Sequence, residues 1–140
     1  MRYLLLAYGD EQRLGAMAPD EREALARACR ESDEALAASG VLDAAAVLQG
    51  AVAVSVRVRH GAVTLAEGPV APSRERLCAV FTITARDLNE AIRVAAALPQ
   101  ARVGPVEVRP VLDGPRGARG PARLRADTTT SQEEEPTICD

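Results

Sequence analysis

The run Tyr3-Leu4-Leu5-Leu6-Ala7-Tyr8 is apolar at every position, with Tyr3, Leu5 and Ala7 on one side of an extended chain and Leu4, Leu6 and Tyr8 on the other. A strand with one wet face alternates, whereas one that is apolar on both sides belongs inside a sheet. Residues 3–8 are therefore expected to form a central strand, and the remaining elements have to surround it. Downstream, Pro19 with Asp20, Glu21 and Glu23 combines a fixed φ with acidic charge in a first turn, which predicts a helix over residues 19–39. Its inward stripe would be Leu25, Ala28, Cys29, Ser32 and Leu36, and Gly40 stands where a left-handed cap belongs. Cys29 reads as a packing residue on that stripe.

Val52, Val54, Val56 and Val58 alternate with Ala53, Ser55, Arg57 and Arg59, the pattern of a half-buried strand. His60-Gly61 then predicts a tight turn into a short strand at residues 62–66. Residues 67–73 hold one Gly and two Pro and should be irregular. A long strand at 78–84 leads to Asp87 and Glu90, spaced as in a capping box, and to a helical stripe of Leu88, Ala91, Ile92, Ala95 and Leu98 that ends at Pro99. A last strand covers 106–112.

Counted by its long strands, the order is β-α-β-β-α-β, the ferredoxin-like plan of an α+β domain, with two helices on one face of an antiparallel sheet. Strand parity puts Val106 and Val108 on the helix side. The open side would hold Glu107, Arg109 and Val111, with Ser55, Arg57, Val80, Thr82 and Thr84, and either Leu4, Leu6 and Tyr8 or their alternates. That face is too apolar for water and too polar for a core. The expectation is a homodimer in which two sheets enclose a small cavity, a dimeric α+β barrel.

Composition removes several classes of function. All 17 basic residues are Arg, so Schiff-base and P-loop lysines are absent. A net charge of -3 and three aromatic residues, Tyr3, Tyr8 and Phe81, argue against a nucleic-acid partner. Three cysteines without a C-x-x-C and a single histidine, His60, leave a zinc cluster without ligands. No metal or other cofactor is expected. The N-terminal apolar run is too short for a signal or a membrane span, and the cysteine usage suits a reducing compartment, so a cytoplasmic protein without a membrane partner is expected. Residues 1–112 read as one domain. Residues 113–140, basic and then acidic with almost nothing apolar, read as a disordered tail in which Cys139 is an exposed, inert thiol.

The opening Met1-Arg2-Tyr3-Leu4-Leu5-Leu6-Ala7-Tyr8-Gly9-Asp10-Glu11, the Pro19-Asp20-Glu21 helix start, Glu67-Gly68-Pro69-Val70 with Ser73-Arg74-Glu75-Arg76-Leu77, and Val106-Glu107-Val108-Arg109-Pro110-Val111 together resemble the YCII-related superfamily. Within it they resemble the branch named for a D-G-P-F motif. The resemblance implies a dimeric α+β barrel, bacterial and cytoplasmic, among relatives that include lyase- or isomerase-like enzymes. Genes of that branch often adjoin those of extracytoplasmic-function sigma factors, which implies a regulatory protein partner as an alternative. The chain departs from the motif: Glu67 replaces Asp, Val70 replaces Phe, Arg74 replaces Lys, and Cys78-Ala79 replaces a Gly pair. The helical His that works with an Asp in the typical YCII branch has no counterpart here.

Acid–base chemistry without that histidine needs a carboxylate or a phenol, and the candidates are Glu67, Asp10 and Tyr8. Glu67 leads, because Gly68-Pro69 is a rigid turn able to hold a carboxylate at a cavity mouth. His60 reads as a solvent-facing turn residue. Arg57, Arg109 and Thr82 are the candidate substrate-binding residues, since guanidinium groups on the open face can grip a carboxylate. Glu107 on that face leaves an alternative, an ion pair with Arg109 or Arg57 that only compensates charge. Two functions follow. One is a cofactor-independent lyase, isomerase or cyclase for a small anionic or carbonyl-containing substrate in a biosynthetic pathway. The other is a non-catalytic dimer that binds a metabolite or protein partner.

Overall fold

A computed structural model of the chain describes residues 1–49 and 52–112. The expected tail at 113–140 lies outside the described residues. Strand β1 (Arg2–Asp10) runs into a short helix α1 (Glu11–Ala16) and the long α2 (Pro19–Ala38), followed by β2 (Leu42–Val47). A hairpin of β3 (Val54–Arg59) and β4 (Ala62–Glu67) comes next, then β5 (Glu75–Thr84), α3 (Leu88–Ala97), a 3-10 turn (Pro99–Arg102) and β6 (Val106–Pro110).

Four strands pair in the order β2-β5-β1-β6, and every neighbouring pair is antiparallel. This is the ferredoxin-like arrangement, with β1 in the interior as its doubly apolar sequence requires. Tyr3, Leu5 and Ala7 meet Ile83, Phe81 and Ala79 across the β1–β5 ladder, and Ala91 and Ala95 of α3 with Leu98 just after it complete the core. Helix α2 contributes only half-buried residues, Leu36 among them. Cys29 on it is likewise half-buried. Burial first, and the nearby Asp33 charge second, push its thiol up from the ordinary value, as suits a packing residue.

The local devices are legible in atoms. Asp87 accepts from the Glu90 backbone N–H at 2.9 Å, and Glu90 returns to the backbone N–H of Arg86 at 2.5 Å, one residue before the cap. Gly40 ends α2 at φ +78°, and His60 and Gly61 turn the hairpin at φ +51° and +76°, the two positive angles of a type I′ turn.

One expectation is corrected here. The second sheet strand is Leu42–Val47, not the alternating valine segment, which instead forms β3 of a separate two-stranded sheet. Ser55 and Arg57 are therefore not on the open face of the main sheet. Arg57 pairs with Thr64 within the hairpin and is exposed. The remaining assignments to the open face stand: Leu4 faces Thr82 and Arg109, and Leu6 faces Val80 and Glu107, all beside the uncovered side of the sheet.

Candidate active site

At the C-terminal end of β1 the two ladders do something irregular. Ala7 pairs with Ala79 but Tyr8 pairs with Leu77, so Cys78 is an extra residue in β5 and the strand bulges. Bulges re-aim side chains. On the other flank the Tyr8 backbone N–H donates to the Pro105 carbonyl at 2.9 Å. Gly104 lies so close to the Tyr8 carbonyl that a Cβ there would overlap it. Glycine is the residue that permits this approach.

The Tyr8 phenol donates to Glu107 Oε2 at 3.3 Å. The other carboxylate oxygen of Glu107 accepts from Arg109 Nε at 2.8 Å and lies 2.7 Å from its terminal nitrogen. Glu107 and Arg109 are two apart on β6, which is why they share a face. Both nitrogens hold the one oxygen, Oε1, and leave Oε2 for the phenol. Burial is the main reason that Tyr8 titrates above an ordinary phenol. The Glu107 charge and hydrogen bond add to it, and Arg109 partly offsets it.

Tyr8 and Glu107, but not Arg109, line a cavity of about 770 Å3 that Leu77 also borders. Its walls come from the two connections of the hairpin, through Leu48, Val52, Pro69 and Ser73. Those connections are tied together: the Gly68 N–H donates to the Ala53 carbonyl at 2.8 Å, and Ser55 Oγ donates to the Gly68 carbonyl at 2.7 Å. Gly68 adopts φ +96° to make the bend.

The sequence-predicted residues separate on this geometry. Tyr8 and Arg109 come together, through Glu107, which the sequence reading treated only as a counter-charge. Thr82 lies on the same open face, opposite Leu4 and away from the cavity lining. Glu67 ends β4 opposite Val54, is exposed, and does not line the cavity, whereas Pro69 of the same segment does. Asp10 caps α1, accepting from the backbone N–H groups of Gln12 at 2.9 Å and Arg13 at 3.4 Å. Its carboxylate is engaged in the helix start. His60 is exposed at the hairpin tip. The signal that could have singled out Glu107 was parity, since it shares the open face with both Arg109 and Tyr8.

A family model described as the YCII-related domain matches residues 1–114. The chain belongs to the YCII-related family. This YCII-related chain is also similar in structure to 5-chloro-2-hydroxyhydroquinone dehydrochlorinase of Burkholderia phenoliruptrix in complex with 2,5-dihydroxybenzoquinone. That likeness has 12% identity and a TM-score of 0.49, over 84% of this chain and 99% of that one. A comparison with curated proteins gives no match. Among the described residues no helix is long and apolar enough to cross a membrane, and no group of three or more His, Cys, Asp or Glu side chains is gathered for a metal ion.

Proposed function

We propose that this YCII-related protein is a cofactor-independent enzyme of lyase or isomerase type, acting on a small carbonyl-containing or carboxylated substrate at the Tyr8–Glu107 cavity. The observation that carries the reading is the pairing of a phenol with a carboxylate held by Arg109 at the edge of a largely apolar cavity. Glu107 removes the proton from the carbon next to the substrate carbonyl. The C–H electron pair forms the enolate C=C bond, and negative charge develops on the carbonyl oxygen. Tyr8 donates to that oxygen, since a phenol that titrates high stays protonated at neutral pH. Its present bond to Glu107, at 3.3 Å, is long for an O–H donor and easily exchanged for a substrate oxygen. The proton held on Glu107 then returns at a different carbon in an isomerisation, or the enolate expels a leaving group in an elimination. Arg109 keeps the carboxylate aimed. The proposed setting is a cytoplasmic homodimer formed through the uncovered face around Leu4, Leu6 and Val80, which are half-buried in one chain.

The test is proton exchange. Proton NMR in D2O on a panel of small 2-oxo and 3-oxo acids is expected to show protein-dependent loss of the signal next to the carbonyl for at least one member. Glu107→Gln should slow it by about 10^2- to 10^4-fold, the usual worth of one general base. If several members bind at the cavity and none exchanges, the protein is a metabolite-binding dimer instead.

A further inference from the structure

Tyr8 and Glu107 account for a small part of the cavity lining, and most of the rest is aliphatic. Leu77 stands across from Tyr8 in the β1–β5 ladder, and Leu48 is fixed near it because its backbone N–H donates to the carbonyl of the next residue, Cys78, at 2.8 Å. Val52, Pro69 and Ala71 continue the wall. Leu48 is 40% exposed and Val52 71%, so apolar surface of both is free to meet a bound molecule. The wall is held in shape. The Val52 N–H donates to the Gln49 carbonyl at 3.1 Å, the Gly68 N–H joins the two connections through Ala53, and the ring of Pro69 fixes its φ. A wall set in advance loses little conformational freedom when a ligand arrives.

The size of the cavity narrows what fits it. Of its 770 Å3, a four-carbon oxo acid fills roughly 200 Å3 and a ten-carbon one roughly 400 Å3, at about 30 Å3 for each water-sized group. A four-carbon acid therefore leaves most of the aliphatic wall against water. We infer that the substrate of the reaction proposed above is a carbonyl acid with an aliphatic body of about six to ten carbons, its head at Tyr8 and Glu107 and its body on Leu48, Val52, Pro69 and Ala71. The head rests on the enzyme reading, whereas the body rests on the cavity alone. An aromatic body is the poorer match. Tyr3 and Phe81 are in the core, and the Tyr8 phenol is engaged with Glu107, so a second ring finds nothing to stack on. Covering the wall is the gain that separates a long substrate from a short one, about three- to fourfold in affinity for each buried methylene.

Titration calorimetry on the full chain tests it with straight-chain 2-oxo acids of four, six, eight, ten and twelve carbons, each kept below the concentration at which it forms micelles. Kd is expected to fall about tenfold for every two carbons added, from four carbons to about ten, and then to level off. The kcat/KM for proton exchange beside the carbonyl should rise with it. Leu48→Ser should flatten this dependence, and Ala71→Phe should move the best chain two to four carbons shorter. Each variant is its own control, because the quantity read is the ratio of long-chain to short-chain affinity in one folded protein. Val56→Asp, in the hairpin and outside the cavity, should leave the ratio as in wild type. An affinity that does not change with chain length, or no binding at any length, would overturn the inference, and exchange of 2-oxobutanoate would then leave the enzyme reading in place. A ratio that Val56→Asp lowers while Leu48→Ser and Ala71→Phe do not would move the chain to the hairpin surface and also overturn it. The expected length dependence in binding, with no exchange at any length, would support the aliphatic occupant and remove the enzyme reading instead.

Discussion

Three side chains carry the proposed chemistry, and their coupling is measurable without a substrate. Tyr8 should titrate above an ordinary phenol in a 13C-tyrosine NMR titration, with Tyr8→Phe identifying its signal. Removing the adjacent negative charge in Glu107→Gln should bring the midpoint down, and removing the positive charge in Arg109→Gln should carry it higher. A midpoint indifferent to both would mean that the three groups do not share a site. Gly104 sets where Tyr8 stands. Gly104→Ala places a methyl into the Tyr8 carbonyl, and forcing the bend before β6 away from β1 should cost about 1–3 kcal/mol, read from denaturant unfolding. Parity along the strand placed Arg109 on the open face, whereas Tyr8 was a candidate for its phenol alone, since parity left the two faces of the first strand undecided. Glu67 was the leading candidate on a turn motif, and a turn motif tells that the chain bends, not which side of the bend faces a cavity. In the structure Pro69 lines the wall and Glu67 points to water.

At the scale of elements, periodicity succeeded wherever side chains were large. Helix α2 begins at Pro19 as its charge pattern requires, and α3 is capped by Asp87. Strand β2 escaped because Leu42-Asp43-Ala44-Ala45-Ala46-Val47 has no strong period and alanine favours helix by propensity; edge pairing with β5 decides it. The alternating valines were read correctly as a strand and placed in the wrong sheet, since alternation reports a half-apolar ribbon and not what covers it. Helix α2 also carries a testable flaw. Asp33 Oδ1 is buried without a hydrogen-bond partner, and burial raises its pKa above the ordinary value. The folded chain therefore holds that proton to higher pH than the unfolded chain does. The penalty is absent below the ordinary carboxylate range, grows as pH rises from that range to the raised value, and is complete above it. Asp33→Asn should raise the Tm by a few degrees at pH 7 and leave it unchanged near pH 3, as thermal scans across pH would show.

For the whole molecule, the main sheet, its two covering helices and a projecting hairpin divide the work. The helices bury one face around Tyr3, Leu5, Phe81 and Ile83, and the bulge and Gly104 aim Tyr8 at the sheet's end. The connections of the hairpin wall the cavity, while its blade presents valines outward. Sequence order pointed to the ferredoxin-like plan although one of its four strands was taken from the wrong segment, because central-strand hydrophobicity and two helix starts are strong local signals. The site was only half visible, because it is assembled by a bulge and by loops from three parts of the chain. The decisive comparison is the proton-exchange rate of Glu107→Gln against Glu67→Gln on the same carbonyl acid. The account predicts a loss of about 10^2- to 10^4-fold for Glu107→Gln and a rate within about twofold of wild type for the exposed Glu67→Gln. A full rate in Glu107→Gln with the loss appearing in Glu67→Gln would contradict it and move the base to the hairpin.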